Sequence, residues 1–91
     1  MEQRRYETLV LLSPDLSSEE LDQLKTKFTD IIDQLQGRLI RLDDWGRRQL
    51  AYQVKKQLYG YYYLMDFMGT PSLLAEMERQ MRLDERVFKF L

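Results

Sequence analysis

The sequence predicts an α+β fold, a βαββαβ sandwich in which a four-stranded antiparallel sheet carries two helices on one face. Two segments place apolar residues at helical spacing behind residues that cap helix N-termini, and four others alternate apolar and polar residues as half-buried strands do. The order runs strand, helix, strand, strand, helix, strand, and right-handed crossovers then put both helices on the same side of the sheet. With 91 residues and no linker, repeat or low-complexity stretch, the chain fits one domain over residues 1–91, large enough for a modest core.

The first strand is "RYETLVLL", opened by aromatic and β-branched residues and stopped at Ser13-Pro14, because proline cannot donate to a ladder. With charged Glu7 turned outward, Tyr6, Thr8, Val10 and Leu12 point to the core. The first helix follows in "LSSEELDQLKTKFTDIIDQLQG". Ser17 is the N-cap and Glu20, three residues on, completes a capping box; Leu21, Leu24, Phe28, Ile31, Ile32 and Leu35 form its apolar stripe. Gly37 is expected to supply the left-handed position that ends it. "RLIRLDDW" and "RRQLAYQV" read as one long strand with a bulge at Trp45-Gly46, and the short polar "KKQ" turns it back into "LYGYYYLMDFM" as a hairpin. Tyr61, Tyr63, Met65 and Phe67 of that third strand face inward, with Tyr62, Leu64, Asp66 and Met68 on the other side. Thr70 as N-cap and Pro71 at the first helical position open the second helix, which buries Leu73, Leu74, Met77 and Met81. "RVFKFL" is the last strand.

This arrangement leaves one sheet face without a helix. Parity assigns that face Arg5, Glu7, Leu9 and Leu11 from the first strand and Tyr62, Leu64, Asp66 and Met68 from the third. Single exposed apolar residues are ordinary, but a contiguous group across neighbouring strands favours a binding surface. The run "YGYYY" is a weak sign of base stacking, since alternation lets at most two of Tyr61, Tyr62 and Tyr63 share a face and the inward pair belongs to the core. Trp45 serves either as a stacking platform or as the aromatic that anchors the bulge.

Composition closes several functional classes. Hydrophobic residues make up 44% and charged residues 32% of the chain, which is too apolar for disorder, and no apolar run is long enough to span a membrane. "MEQRRYETLV" lacks a signal-peptide cleavage pattern, so a cytoplasmic protein is expected. The sequence contains no cysteine and no histidine, which removes disulfides, the common zinc sites and Ser-His or Cys-His nucleophilic pairs. Asp43-Asp44 ahead of a glycine reads as a solvated turn rather than a catalytic or metal pair. There is no glycine-rich phosphate loop; no cofactor, metal or small-molecule substrate is expected.

The formal net charge of −1 conceals an asymmetry. Residues 15–33 carry six acids against Lys25 and Lys27, whereas residues 38–56 carry six cations against Asp43 and Asp44. An acidic first helix and a basic hairpin follow, and the hairpin would attract an anionic partner. Lys25 and Lys27, interspersed among acids, are expected to form local helical ion pairs. Arg47, Arg48, Lys55 and Lys56 on the hairpin, with Arg38, Arg41, Arg4 and Arg5, could form a phosphate-contacting rim in which arginine bridges two oxygens and lysine acts as a point charge.

The ordered pieces resemble ribosomal protein six of the bacterial small subunit. That family opens with an Arg-Arg-Tyr-Glu strand, matched here by Arg4, Arg5, Tyr6 and Glu7, followed by Pro14 and Leu16. Its more specific block, Gly-x-Arg-x-Leu-Ala-Tyr-x-Ile/Val, is matched by "GRRQLAYQV" from Gly46 to Val54, with Lys55 or Lys56 and Gly60-Tyr61 at the expected distance. The resemblance spans residues 4–91. It implies a ferredoxin-like fold, a non-enzymatic structural role in the cytoplasmic ribosome, pairing with ribosomal protein eighteen, and binding of that pair to small-subunit ribosomal RNA. On this basis Arg4, Arg5, Arg47, Arg48, Lys55 and Lys56 are assigned to RNA, and Leu9, Leu11, Tyr62 and Leu64 to the protein partner.

Two other readings compete. A ferredoxin-like protein-interaction or small-ligand regulatory module would use a pocket at a homodimer interface and be indifferent to RNA. A carboxylate enzyme would need two acids converging in a cleft, and Asp43, Asp44 and Asp66 have no evident neighbour to shift them. Co-purification of ribosomal RNA and one small basic protein from a lysate separates the three.

Overall fold

The computed structural model describes residues 2–91 and shows six elements: β1 (Arg4–Leu12), α1 (Ser18–Gln34), β2 (Arg38–Val54), β3 (Gln57–Gly69), α2 (Pro71–Leu83) and β4 (Val87–Phe90). The strands form one antiparallel sheet in the order β2-β3-β1-β4. Val10, Leu12, Tyr63, Met65 and Phe67 from the middle strands meet Leu24, Phe28 and Ile32 of α1 and Leu73, Met77 and Met81 of α2 in a single core. Each of these large side chains contributes about 1.5–3 kcal/mol by leaving water. The alternation read from the sequence is the one observed, with Tyr6 packed at the core margin.

Local signals set the helix starts. Ser17 accepts the Glu20 N–H at 3.2 Å while the Glu20 carboxylate accepts the Ser17 N–H at 3.2 Å, so the capping box is closed. Thr70 caps α2 by accepting the Leu73 N–H, with Pro71 at the first position. The end of α1 differs from expectation. The left-handed residue is Gln36, at φ 63°, and not Gly37. The Gln36 and Gly37 amides donate back to Asp33 and Ile32 at 3.1 and 2.8 Å in a Schellman pattern. Gly37 is needed for space: a Cβ there would lie 2.6 Å from the Met68 carbonyl oxygen and against Leu73.

Ladder irregularities shape β2. Two are single steps, between Leu39 and Arg41 and between Asp44 and Gly46. At the second, Trp45 is the extra residue, Gly46 adopts φ 76°, and its N–H donates to the Asp44 carboxylate at 2.8 Å, giving the expected bulge. The third is larger: Gln49 pairs with Tyr59 and Val54 with Gln57, leaving residues 50–53 opposite Leu58 alone. This slack lets the end of the hairpin, hereafter the arm, bend across the helix-free face, where Leu50, Tyr52 and Val54 share a small cavity with Leu11, Tyr62 and Lys89.

Two expectations are corrected by these contacts. Leu11 sits on the helix-free face as parity requires, yet it is only 4% exposed, because it lies over Gly60 beneath the arm. Lys25 and Lys27 pair across the fold rather than along their helix, with Asp44 at 3.7 Å and Asp84 at 2.9 Å.

Candidate functional site

The helix-free face has a charged end and an apolar middle. At the charged end Asp66 of β3 is fully buried, held by the Arg5 guanidinium through Nε at 2.9 Å and Nη2 at 2.6 Å, with Arg41 of β2 3.9 Å away. The ladder explains the meeting: Glu7 and Arg41 are the direct cross-strand partners of Asp66, and Arg5 reaches it on the diagonal. The hydrogen bond from Arg5 and the charges of Arg5 and Arg41 hold the Asp66 carboxyl below the usual range, against a smaller opposing effect of desolvation. Arg5 is therefore partly neutralised by an internal partner, although its outer side remains exposed. Arg4 lies beside it, paired with Gly69.

Next along the face, Leu9 pairs with Leu64 and Leu11 with Tyr62. Leu9, Tyr62 and Leu64 are half-buried, so an apolar strip faces outward between the Asp66 cluster and the arm, with Met68 half-buried on the far side of Asp66. Of the four residues assigned to a protein partner, Leu9, Tyr62 and Leu64 are on this accessible strip and Leu11 underlies the arm.

The arm supplies cations set against aromatic rings. The Arg47 guanidinium lies 4.4 Å from the centroid of Tyr59, and that of Arg48 lies 5.4 Å from Trp45 while its Nε donates to the Trp45 carbonyl at 3.0 Å. Cross-strand pairing puts Arg48 on the helix-free side and Arg47 on the other, so the two flank one strand. Trp45 and Tyr59 are each 39% exposed, leaving ring surface available for stacking beside a guanidinium that can bond phosphate. At the tip Lys55 and Lys56 occupy the left-handed region at φ 49° and 64°. That is the two-residue turn of a tight hairpin, normally built from Asn or Gly. Among the described residues no carboxylate lies within ion-pair distance of Arg47, Arg48, Lys55 or Lys56.

The six assigned cations do not form one rim. Arg4 and Arg5 pair with the last residues of β3, and Lys55 and Lys56 precede its first; the intervening strand, at ~3.3 Å per residue, is roughly 40 Å long. The arm group and the Arg4-Arg5 group are separate patches at opposite ends of the sheet. Two residues have no role in the sequence reading: Tyr52 of the arm, and Lys89 of β4, whose Nζ donates to the Tyr52 hydroxyl at 3.3 Å. Lys89 stands opposite Leu11 on the helix-free side because the ladder shifts register between Leu11 and Leu12; plain alternation sets it on the face of the buried Val87, so the sequence carried no signal for it. Among the described residues no group of three metal-ligating side chains converges.

Comparison with known proteins agrees with this architecture. The family model for Ribosomal protein S6 matches residues 5–91. The chain is 48% identical over 87 residues to small ribosomal subunit protein bS6 of Geobacter metallireducens and 49% identical over 87 residues to that of Geobacter sulfurreducens, covering 96% of this chain and 74% of each relative. Among solved structures, the crystal structure of 30S ribosomal protein S6 from Thermotoga maritima superposes with a TM-score of 0.91 at 25% identity, covering 99% of this chain and 85% of that one.

Proposed function

The chain belongs to the ribosomal protein S6 family, and on that premise we propose that it binds small-subunit ribosomal RNA together with ribosomal protein eighteen as a structural, non-enzymatic part of the small ribosomal subunit in the bacterial cytoplasm. The observation that carries this reading is the arm: among the described residues its four cations have no carboxylate partner, and two of them, Arg47 and Arg48, lie against half-exposed aromatic rings on either side of one strand. RNA phosphates meet Arg47, Arg48, Lys55 and Lys56, and Trp45 and Tyr59 offer faces to unpaired bases. The apolar strip of Leu9, Tyr62 and Leu64 takes the protein partner, which shields it from water. Arg4 and Arg5 serve a second, weaker contact, because Arg5 already shares its charge with Asp66.

Binding of this kind depends on releasing counterions from phosphates, so affinity falls steeply with salt. Filter binding of the full chain to small-subunit ribosomal RNA, with protein eighteen present, tests it. Replacing Arg47 and Arg48 together by Ala is expected to weaken binding and to flatten the slope of log affinity against log salt by about 0.7–0.9 per cation. An unchanged slope with unchanged affinity would remove both arginines from the interface.

A further inference from the structure

We propose that the phosphate-binding surface continues past the arm tip onto β4 and the end of α2, where Lys55, Arg82 and Lys89 together form a second site for the RNA backbone. The inference rests on the RNA-binding reading above and adds to it a location that lies outside the hairpin. Lys55 from the arm, Arg82 from the last turn of α2 and Lys89 from β4 line one shallow depression floored by Val87, Phe88 and Phe90. Each cation is steadied by a ring: Lys55 Nζ is 5.6 Å from Phe88, the Arg82 guanidinium 5.8 Å from Phe90, and Lys89 Nζ 5.7 Å from Tyr52. A cation over a ring keeps its net charge and turns its outer donors to solvent.

Among the described residues none of the three has a carboxylate within ion-pair distance, whereas their neighbours Arg79 and Arg86 are tied to Glu76 and Asp84. Single-element explanations cover each cation separately. A basic residue in the last turn of a helix complements the helix dipole, and a lysine on a short edge strand discourages pairing with other chains. Neither explains why Lys55, from an arm far away in the chain, is brought beside Arg82 and Lys89, so that three cations without a carboxylate partner among the described residues line one depression. A polyanion with charges spaced along a flexible backbone satisfies all three at once, and a strand of RNA leaving the arm would pass this place.

The test uses the full chain with protein eighteen and small-subunit ribosomal RNA across a salt series, with a glutamate oligomer as a second probe. Arg82→Gln and Lys89→Gln, alone and together, and Lys55→Asn, which tolerates the left-handed backbone, are compared with the wild-type chain after urea unfolding has confirmed unchanged stability. Each neutralised residue is expected to lower the salt slope for RNA by about 0.7–0.9, with the Arg82/Lys89 pair near twice that. A wild-type chain that binds RNA with a steep slope while the Arg82/Lys89 variant keeps the same slope overturns this inference and leaves the arm reading intact. Loss confined to the glutamate oligomer overturns it in favour of an acidic peptide. A wild-type chain with no salt-dependent RNA binding overturns both readings.

Discussion

Asp84 shows how much one side chain can hold. It follows α2, is almost fully buried, and accepts from Lys27 Nζ at 2.9 Å and from Arg86 at both carboxylate oxygens, at 2.9 and 2.7 Å, tying α1 to the start of β4. The Arg86 hydrogen bond first, then those from Lys27 and the backbone, hold its carboxyl far below the usual range in spite of burial. Because this folded-state value lies below the unfolded one, the stabilisation is fully present above a pH of about 4 and is lost as pH falls toward the folded value. Asp84→Asn should therefore lower stability by about 2 kcal/mol at pH 6, with the difference from wild type shrinking between pH 4 and pH 2 in urea unfolding. A constant difference across that range would mean that the carboxylate charge is not what matters. Arg86 is two residues from Asp84, but the pairing with Lys27 was not legible in the chain. Asp84 and Lys27 are 57 residues apart, and linear spacing suggested local partners for Lys27. The same holds for Arg5, whose partner Asp66 comes from another strand.

At the scale of elements, what could be read depended on whether the deciding interaction is local. Both helix starts were legible because Ser17 and Thr70 bond to amides three residues on. The end of α1 was placed one residue late, because glycine at that position is constrained by Leu73 and Met68 from elsewhere in the fold and not by its own φ. The bend of the arm was invisible: residues 50–53 include neither Gly nor Pro to mark an irregular ladder. The arm tip carries a prediction. Two lysines in the left-handed region cost roughly 1–2 kcal/mol each relative to residues that favour it, a strain typical of positions kept for binding. Lys56→Gly is expected to raise stability by about 1 kcal/mol in urea unfolding while weakening RNA binding and its salt slope. A variant that gains stability and binds as before would show that the second lysine serves only the turn.

Across the whole molecule, two helices shelter one side of a long twisted sheet, and the other side offers an apolar strip bounded by basic patches. The asymmetry of charge along the chain was legible by counting, and so was the helix-free face. Which cations remain available was not, because Arg5, Arg41, Lys25 and Lys27 are claimed by carboxylates that only the fold brings near, whereas Arg79 and Arg86 are tied to acids two or three residues away. The five lysines divide between the two sides: Lys25 and Lys27 on α1, Lys55, Lys56 and Lys89 on the arm and β4. Amine-directed labelling of the full chain, alone and assembled with protein eighteen and small-subunit ribosomal RNA, reads that division by mass spectrometry. The account predicts that assembly protects Lys55, Lys56 and Lys89 several-fold and leaves Lys25 and Lys27 at their free-chain reactivity. Protection of the α1 lysines with the arm left reactive would contradict it.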